Sequence, residues 1–416
     1  MDKVNHIIIV GGGSSAWLTA AYLSYNNSCR LTMVDKEHGK PIGVGEATLL
    51  NFQPFMESCG FKVEEWFDKI NATYKTGILF PGWGKNGQSV WHPFVFGAYW
   101  PRPGELNKNN QNAFLIDCGK LVTFFQSKLN LEVIKEEVIR LDDEGLLLKN
   151  KKRLKADLYV DCTGFKSLLQ KTEKIDLHDR LICDTAVAGH IPYKDFWAES
   201  PSYVVSEAVE CGWIWTIPLQ SRIGSGLVFN RTITPVEKAK RIFADYWNQR
   251  VGVTKVIDWT PYYTTEFWKD NVVRIGLSAG FIEPLESTGL ALAMEGAFQL
   301  SRVLRESYYS SDNIAIYNAL LKNFYEESID FVGSHYTLQQ RPEPFWRAAR
   351  ARIKKSARQL TYTKNLDIGS GQTSLGTYSF FRKNNWDCWL RQQLYEWKDT
   401  KGIKDRYLEV HRDTKK

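Results

Sequence analysis

Ile7-Ile8-Ile9-Val10-Gly11-Gly12-Gly13-Ser14-Ser15-Ala16 is the stretch that decides the fold of this 416-residue chain. Its first four residues are apolar and β-branched, which is typical of a buried parallel strand. Glycines allow a tight turn and a close approach of the backbone to a pyrophosphate, and the N-terminus of a following helix offers unpaired N–H groups to phosphates. The pattern G-x-G-x-x-A therefore predicts dinucleotide contacts at Gly11, Gly13, Ser14, Ser15 and Ala16.

A second strand and an acidic residue extend this unit. Residues 30–34 (Arg-Leu-Thr-Met-Val) are predicted to form the next strand, and Asp35 follows directly. An acid at the end of the second strand suits a ribose hydroxyl. Strand, glycines, helix, strand and acid in this order predict an α/β domain that binds FAD or NAD.

The bulk composition limits the classes of protein to consider. With 43% hydrophobic and 24% charged residues, the chain is predicted to be a soluble globular protein of one large domain or two interleaved ones. The net charge of +7 is modest for this length, and no nucleic-acid-binding motif accompanies it. We therefore expect no nucleic acid partner.

The cysteines, the histidines and the apolar runs indicate which cellular compartment, metal binding and membrane association to expect. The seven cysteines are odd in number and form no C-x-x-C pair, which favours a reduced, cytoplasmic compartment. The seven histidines show no metal-ligand spacing, so no metal site is predicted. The apolar run at residues 7–10 is too short for a signal peptide or a membrane span, and no membrane association is expected.

A second distinctive segment is Gly212-Trp213-Ile214-Trp215-Thr216-Ile217-Pro218. In a strand, side chains alternate between the two faces, so Trp213, Trp215 and Ile217 are predicted to share one face. That face is either a rigid aromatic wall beside a ligand or an ordinary pair of core tryptophans in a sheet.

The pattern W-x-W-x-I-P in this segment resembles the signature of flavin-dependent tryptophan halogenases. Two further segments resemble the same family: residues 42–48 (I-G-V-G-E-A-T) and residues 281–289, which keep every fixed position of F-x-x-P-x-x-S-x-G. The resemblance covers most of residues 1–350. It implies an α/β fold with an FAD-binding Rossmann-like domain of the flavin monooxygenase and halogenase type, a mixed substrate-side sheet and a helical C-terminal part.

The flavin-binding part is expected to be discontinuous in sequence. Residues 158–164 end in D-x-T-G, and residues 273–278 resemble a strand that reaches the flavin in that family. The predicted FAD module lies within residues 1–300 and draws on about 1–50, 130–170 and 270–300. The segments at about 51–130 and 171–270 are expected to build the substrate side, and residues 301–416 a mostly helical subdomain with a charged tail.

The resemblance also implies roles for individual residues. It implies that a halide is held by the backbone at Thr288 and Gly289, and that Glu286 faces the substrate cavity, where it would take the ring proton or help to polarise the oxidant. The alternative is an ordinary helix cap with an acid in the first turn. The residues implied to shield the flavin are Trp213, Trp215, Ile217 and Pro218. Further flavin contacts are implied at Gly45, Glu46, Ala47, Thr48, Val138, Leu277 and Leu290.

One position departs from the family. Members carry K-x-x-I-K-F-x-x-W, and the second lysine is taken to hold and activate hypohalous acid; residues 75–83 of this chain have Leu79 there. In one extended strand, Lys75 would share the face of Leu79 but lie about 13 Å away, too far to substitute without a register shift. The candidate catalytic positions are therefore Leu79 itself and another lysine, Lys75 or Lys85. Lys85, after the pair Pro81-Gly82, could fold back. Otherwise the chain releases hypohalous acid without a lysine, or it has lost halogenating power.

The resemblance implies an FADH2-dependent halogenase. From oxygen and chloride or bromide it would make hypohalous acid and halogenate an electron-rich, indole-like aromatic. The alternatives are a flavin monooxygenase that hydroxylates its aromatic substrate, and a flavin-binding relic that lacks the catalytic lysine. No second nucleotide fingerprint is visible for NAD(P)H, so a separate NAD(P)H-dependent flavin reductase is the expected partner, and a homo-oligomer stays open.

Fewer sequence features indicate which residues bind the substrate. Phe94 and Phe96 lie in a segment that resembles the loop that stacks on an indole ring, although two aromatics in a loop can equally be core or lid packing. The basic run at residues 347–355 could dock an acidic carrier protein that delivers the substrate, or it could be a solvated helix face. His335 is expected to satisfy a local hydrogen bond.

Overall fold

The structure is a computed structural model that describes residues 4–36, 43–94, 112–252, 254–305, 310–365, 379–381 and 383–394. Phe96, a predicted substrate contact, lies outside the described residues.

Strands in the described residues form five sheets. Their bounds are β1 (His6–Val10), β2 (Arg30–Val34), β3 (Glu46–Ala47), β4 (Thr73–Lys75), β5 (Gly77–Phe80), β6 (Val90–Pro93), β7 (Ala113–Ile116), β8 (Glu132–Ile134), β9 (Val138–Asp142), β10 (Gly145–Leu148), β11 (Arg153–Leu154), β12 (Leu158–Asp161), β13 (Lys174–Asp176), β14 (Thr185–Ile191), β15 (Val204–Val209), β16 (Gly212–Pro218), β17 (Ile223–Phe229), β18 (Lys255–Asp258), β19 (Tyr262–Thr264), β20 (Trp268–Lys269), β21 (Val272–Arg274) and β22 (Gly280–Phe281).

Helices are interspersed with strands up to β22, and the C-terminal third of the chain contains consecutive helices. Their bounds are α1 (Ser14–Asn26), α2 (Phe52–Ser58), α3 (Val63–Trp66), α4 (Cys118–Lys128), α5 (Phe196–Glu199), α6 (Val236–Tyr246), α7 (Thr288–Arg305), α8 (Ser311–Thr337), α9 (Pro344–Arg352), α10 (Ala357–Asn365) and α11 (Lys383–Leu394). Short 3-10 helices occur at Lys85–Gly87, Gly164–Lys166 and Gly276–Ser278.

The first large sheet has the order β20-β21-β12-β1-β2-β8, and all its neighbours are parallel except β20 and β21. Alternate residues of β1 face opposite ways. Ile7 and Ile9 join the main core with α1, whereas Ile8 and Val10 pack against a second sheet, β11-β10-β9. Burial on both faces explains why the β1 sequence is apolar throughout.

The second large sheet has the order β18-β14-β17-β16-β15-β5-β6 and mixes parallel with antiparallel pairs. On β16, Trp213, Trp215 and Ile217 pack into the main core, while Ile214 faces a separate cluster under α6. The predicted alternation along this strand is confirmed, because the two sets of side chains belong to different apolar clusters.

The C-terminal part is helical from α7 to α11. α7 packs against α1, the helix that connects β1 and β2 of the first sheet, and α8 packs against α7 and α9. Pro344 lies at the first position of α9, where its missing N–H costs nothing. The α/β architecture with a mixed sheet and C-terminal helices, predicted from the sequence, is confirmed.

Three further observations concern the described residues only. None of their helices is long and apolar enough to cross a membrane. No group of three or more His, Cys, Asp or Glu side chains among them could hold a metal ion. All seven cysteines fall within this part of the chain and are free thiols.

Candidate active site

The glycine turn after β1 has the shape that a nucleotide needs. Gly11 has a φ of 131°, and a Cβ there would come 2.4 Å from the backbone carbonyl oxygen that follows β12. A Cβ on Gly12 would lie 2.0 Å from the carboxylate of Asp35, whereas one on Gly13 would meet nothing within 4 Å. The first two glycines are therefore required for packing, and the third opens onto free space where α1 begins at Ser14.

Other predicted flavin contacts lie on neighbouring elements of the same fold. Leu277 is partly buried in the 3-10 helix Gly276–Ser278, and a Cβ on Gly276 would come 2.5 Å from the side chain of Ser15. Leu290 is partly buried in the first turn of α7. Val138 begins β9 and is buried behind β1. Ala16 is buried within α1.

The loop at Gly45–Thr48 links the nucleotide side to the second sheet. A Cβ on Gly45 would lie 3.1 Å from Ile217 of the aromatic strand. Glu46 and Ala47 form β3, and a Glu46 oxygen accepts the backbone N–H of Cys118 at 3.0 Å. The loop thus brings the predicted flavin residues against β16.

The aromatic strand presents a tilted rather than a flat wall. The rings of Trp213 and Trp215 lie 6.3 Å apart, between centroids, at 59°. A Cβ on Gly226 of β17 would come 2.1 Å from the Trp215 ring, so that glycine makes room for the indole. Pro218 ends β16.

Lys75 is buried at the meeting point of three segments. Its Nζ donates to the carbonyl oxygen of Thr48 at 3.0 Å and to Oγ of Ser287 at 2.9 Å. It also lies 4.2 Å from the centroid of the Phe94 ring, close enough for a cation–π contact. Burial lowers the pKa of Lys75 well below its usual value, and the charge of Glu286 opposes that shift.

Leu79 lies elsewhere, in an apolar cluster with Trp91, Tyr203 and Val205. β4 pairs with β7, whereas β5 pairs with β6 and β15, so the chain changes sheet at Thr76. Lys75 and Leu79 therefore do not share one straight strand. The separation expected from the sequence assumed uninterrupted extension across Thr76, and the structure has a change of sheet there instead.

Glu286 is fully buried between two histidines. Its carboxylate oxygens lie 3.1 and 3.0 Å from Nδ1 of His92, and one of them lies 2.7 Å from Nε2 of His335. Burial acts to raise the pKa of Glu286, but the two histidines outweigh it and bring the pKa to about 2. Glu286 is thus a carboxylate held inside the protein.

Helix α7 begins at Thr288, next to Glu286 and Ser287. Ser287 has a φ of 60°, in the left-handed region that non-glycine residues seldom adopt. A Cβ on Gly289 would meet nothing within 4 Å, so the first turn borders open space. The first N–H groups of a helix have no partner within it and attract anions. An anion here would also lie near Nζ of Lys75.

The sequence model of the tryptophan halogenase family matches residues 6–115 and 122–403. The chain belongs to the tryptophan halogenase family. The resemblance drawn from the sequence is thereby confirmed, as is the prediction that the chain is an enzyme of that family. Membership implies the use of FAD and a halide.

Individual relatives agree with this assignment. Tryptophan 6-halogenase ThaL of Streptomyces albogriseolus is 27% identical over 455 aligned positions, which cover 91% of this chain and 85% of ThaL. Tryptophan 7-halogenase RebH of Lentzea aerocolonigenes is 26% identical over 83% of this chain and 79% of RebH. The structure of Xcc4156, a flavin-dependent halogenase from Xanthomonas campestris, has the same fold, with a TM-score of 0.86 at 22% identity, covering 100% of this chain and 96% of that chain.

This halogenase-family chain contains a second buried carboxyl near Glu286. Glu283 accepts the hydroxyl proton of Tyr336, and the indole N–H of Trp213 donates to the same Tyr336 oxygen at 3.0 Å. Burial raises the pKa of Glu283 to about 7, against opposing hydrogen bonds from Tyr336, Cys183 and Trp213. Glu283 therefore anchors one end of the aromatic wall and keeps its proton up to about pH 7.

Replacing Glu283 with glutamine is expected to change how stability depends on pH. The folded protein keeps the Glu283 proton up to about pH 7, whereas the unfolded chain releases it near its ordinary pKa of 4.5. The folded state then binds one more proton between these values, so this carboxyl destabilises the fold as pH rises. The free energy of unfolding of Glu283→Gln, measured relative to that of the parent protein, should therefore increase by up to about 3 kcal/mol between pH 5 and pH 8. Urea unfolding at both pH values measures this, and a pH-independent difference would contradict a neutral Glu283.

Three residues of the enzyme's site were missed from the sequence: His92, Asn385 and Trp389. Nε2 of His92 lies 2.9 Å from the amide nitrogen of Asn385, and the ring of Trp389 stacks on His335 at 3.7 Å between centroids. One signal was present, because His92 lies two residues before Phe94 and so shares its face of an extended segment. His335 makes the expected local bond, to the Phe331 carbonyl at 2.8 Å, and also binds Glu286.

Proposed function

We propose that this chain is an FADH2-dependent halogenase that makes hypohalous acid from oxygen and chloride or bromide and transfers the halogen to an electron-rich, indole-like aromatic. One observation carries the proposal: Lys75, Glu286 and the start of α7 meet in a single buried cluster. A cation, a carboxylate and an anion-attracting helix terminus are the groups that this chemistry requires.

The residues present fit FAD. Open space at Gly13 and the N-terminus of α1 suit the pyrophosphate, and Asp35 follows β2 where a ribose hydroxyl would be bound. When bound, reduced FAD supplies the two electrons that activate oxygen toward the halide. The Gly45–Thr48 loop and the Trp213–Pro218 strand, which would face the flavin, pack together at Gly45 and Ile217. These contacts support the proposed shielding role of the aromatic wall.

The halide would be held at the start of α7 by the backbone of Thr288 and Gly289. Their N–H groups belong to the first turn of an 18-residue helix, whose positive end favours an anion. Ser287 carries the hydroxyl that binds Lys75, so the ammonium lies next to this turn. A halide bound at this turn would lie next to Lys75. Hypohalous acid made from it would therefore form close to the residue that is proposed to hold it.

Lys75 is proposed to hold hypohalous acid and to protonate its oxygen as the halogen leaves. The oxygen–halogen bond breaks, the halogen bonds to a ring carbon, and the oxygen takes a proton from the ammonium to give water. Glu286 then takes the proton from the same ring carbon and returns it to Lys75. The cycle closes without a net change in either side chain. With Lys75 in the proposed catalytic role, Leu79 does not imply the loss of a catalytic lysine, which supports a halogenase over a flavin-binding relic.

The substrate is proposed to be a small or carrier-bound aromatic. ThaL and RebH are described as tryptophan halogenases, and Phe94 offers a buried aromatic ring next to Lys75. Of the basic run, Arg347, Arg352, Lys354 and Lys355 are exposed, whereas Arg350 binds the carbonyl oxygens of Gln339 and Arg341. A separate flavin reductase is the proposed partner for the supply of reduced FAD.

Incubation with FAD, a flavin reductase, NADH, oxygen and bromide over a panel of indoles, phenols and pyrroles tests the proposal. Mass spectrometry should find bromine isotope doublets above a control that contains peroxide and no enzyme. A mass gain of one oxygen in place of bromine would identify a hydroxylase. Peroxide as the sole oxygen product on every compound would contradict halogenation.

A further inference from the structure

The two histidines that hold Glu286 come from different elements, His92 from β6 and His335 from α8. All three side chains are at most 1% exposed. An ionised carboxylate in such a place is costly unless hydrogen bonds and opposite charge compensate it. The groups around Glu286 must therefore supply this compensation.

The hydrogen-bond geometry of His335 fixes where its protons are. Nδ1 faces the carbonyl oxygen of Phe331 at 2.8 Å, and because a carbonyl only accepts, Nδ1 carries a proton. Nε2 lies 2.7 Å from a Glu286 oxygen, a contact that also requires a proton between the two atoms. Burial lowers the pKa of His335 and the bond to Glu286 opposes that. The contacts nevertheless leave one proton shared by the pair.

His92 is satisfied in a different way. Its Nδ1 faces both oxygens of Glu286, and its Nε2 faces the amide nitrogen of Asn385, which donates. With a proton on Nδ1 and a lone pair on Nε2, the ring makes both contacts. His92 thus supplies one N–H to Glu286, whereas both ring nitrogens of His335 face oxygen acceptors.

We propose that His335 is the positioning residue that keeps Glu286 an ionised carboxylate, aimed at the substrate side and able to accept the ring proton. This inference rests on the proposed function and goes beyond it by assigning the group that makes Glu286 competent. Trp389 stacks on the outer face of the imidazole and Phe331 binds its Nδ1, so His335 is held in one orientation. Without this partner, burial would favour the protonated acid, which cannot take a second proton.

The carboxyl of Glu283, three residues earlier in the chain, can be compared with that of Glu286. Glu283 is as deeply buried as Glu286, yet its partners are hydroxyl, thiol and indole groups and not imidazoles. Its pKa is raised to about 7, whereas that of Glu286 is brought to about 2. The two carboxyls differ chiefly in the histidines: the charge of His92 is the largest influence that lowers the pKa of Glu286, and the hydrogen bond from His335 comes next.

Other titratable groups also face this pair. They are Lys75 from β4, His92 from β6 and Cys388 from α11. Burial raises the pKa of Cys388, so it stays a neutral thiol in the working range. Lys75 favours an ionised Glu286 but is itself engaged by Thr48 and Ser287. These groups are unchanged in variants at position 335, so a difference between such variants reports on His335.

The test compares His335→Phe, which keeps a ring to stack on Trp389, with His335→Gln, which keeps an N–H donor. Bromination of the compound that the parent protein brominates fastest is measured from pH 6 to pH 9. If Glu286 in His335→Phe approaches the pKa of Glu283, about 7, its activity at pH 6 should be about tenfold below that at pH 9. The parent protein should show no such loss on the acidic side, and His335→Gln should lie between them.

A direct readout does not depend on turnover. Infrared difference spectra between each protein and the same protein with Glu286→Gln report the protonation of this one carboxyl at pH 6. The parent pair should show no protonated-carboxyl band, and the His335→Phe pair should show one. A parent-like pH profile together with an absent band in His335→Phe would overturn the inference. Failure of the parent protein to brominate any compound would instead refute the proposed function, and the infrared comparison would still decide the role of His335.

Discussion

Lys75→Met is expected to lose aromatic bromination by at least about 100-fold while it still binds FAD and consumes oxygen. Methionine matches the length and tolerates burial, but it provides neither a cation nor an N–H donor. The Thr48 carbonyl and the Ser287 hydroxyl lose their shared partner, so the fold is expected to lose about 1–3 kcal/mol as well. Product formation by mass spectrometry, FAD titration and thermal melting separate these effects.

Two controls address which lysine matters. Lys85→Met removes the partly exposed lysine of the 3-10 helix and should keep parent-like bromination. Lys75→Met combined with Leu79→Lys should not recover activity, because position 79 packs against Trp91, Tyr203 and Val205, apart from the site. An ammonium buried there without a partner should also destabilise the fold by several kcal/mol, on the order of the cost of an uncompensated buried charge. Recovery of bromination by the double variant would restore the original assignment of the catalytic position to residue 79.

Glu286→Gln is expected to lower kcat for aromatic bromination by about 100-fold or more, with hypobromous acid still formed. The amide oxygen can accept from His92 and the amide N–H can donate to Nε2 of His335, so the packing survives. Glutamine cannot take the ring proton, however, and the proton shared with His335 is lost. A small diketone that traps hypobromous acid measures the first half of the reaction, and the brominated aromatic measures the second.

The matched control is Glu295→Gln within α7, the helix that begins just after Glu286. Glu295 is partly buried, with Gln299 as its hydrogen-bond partner at 2.5 Å, and it lies about two turns into α7. It should brominate like the parent protein. Equal losses in both variants would mean that α7 is generally sensitive to loss of buried charge, and the specific role of Glu286 would be withdrawn.

Much of the fold could be predicted because its signals are local. The apolar strand at residues 7–10, the glycine turn and the acid at Asp35 are adjacent in sequence, and their order is enough to specify a nucleotide-binding α/β unit. The shared face of Trp213, Trp215 and Ile217 followed from the two-residue period of a strand. Neither inference needs a contact between distant segments.

The site depended on contacts that no local pattern contains. Thr76 turns the chain from one sheet to the next, and Gly77 permits it, since a Cβ there would come 2.4 Å from the carbonyl oxygen of His92. A glycine inside a strand pattern often marks such a close approach. A straight strand across this segment therefore does not describe where Lys75 lies.

The sequence by itself determined the nucleotide unit, the alternating faces of β16 and the family resemblance. Only the tertiary structure decided which lysine reaches the start of α7 and which groups hold Glu286. Lys75 and Ser287 are 212 positions apart, and His92 and Glu286 are 194 apart. Backbone periodicity predicts which face a side chain occupies, but the meeting of two faces depends on how the sheets and α8 pack around one buried charge.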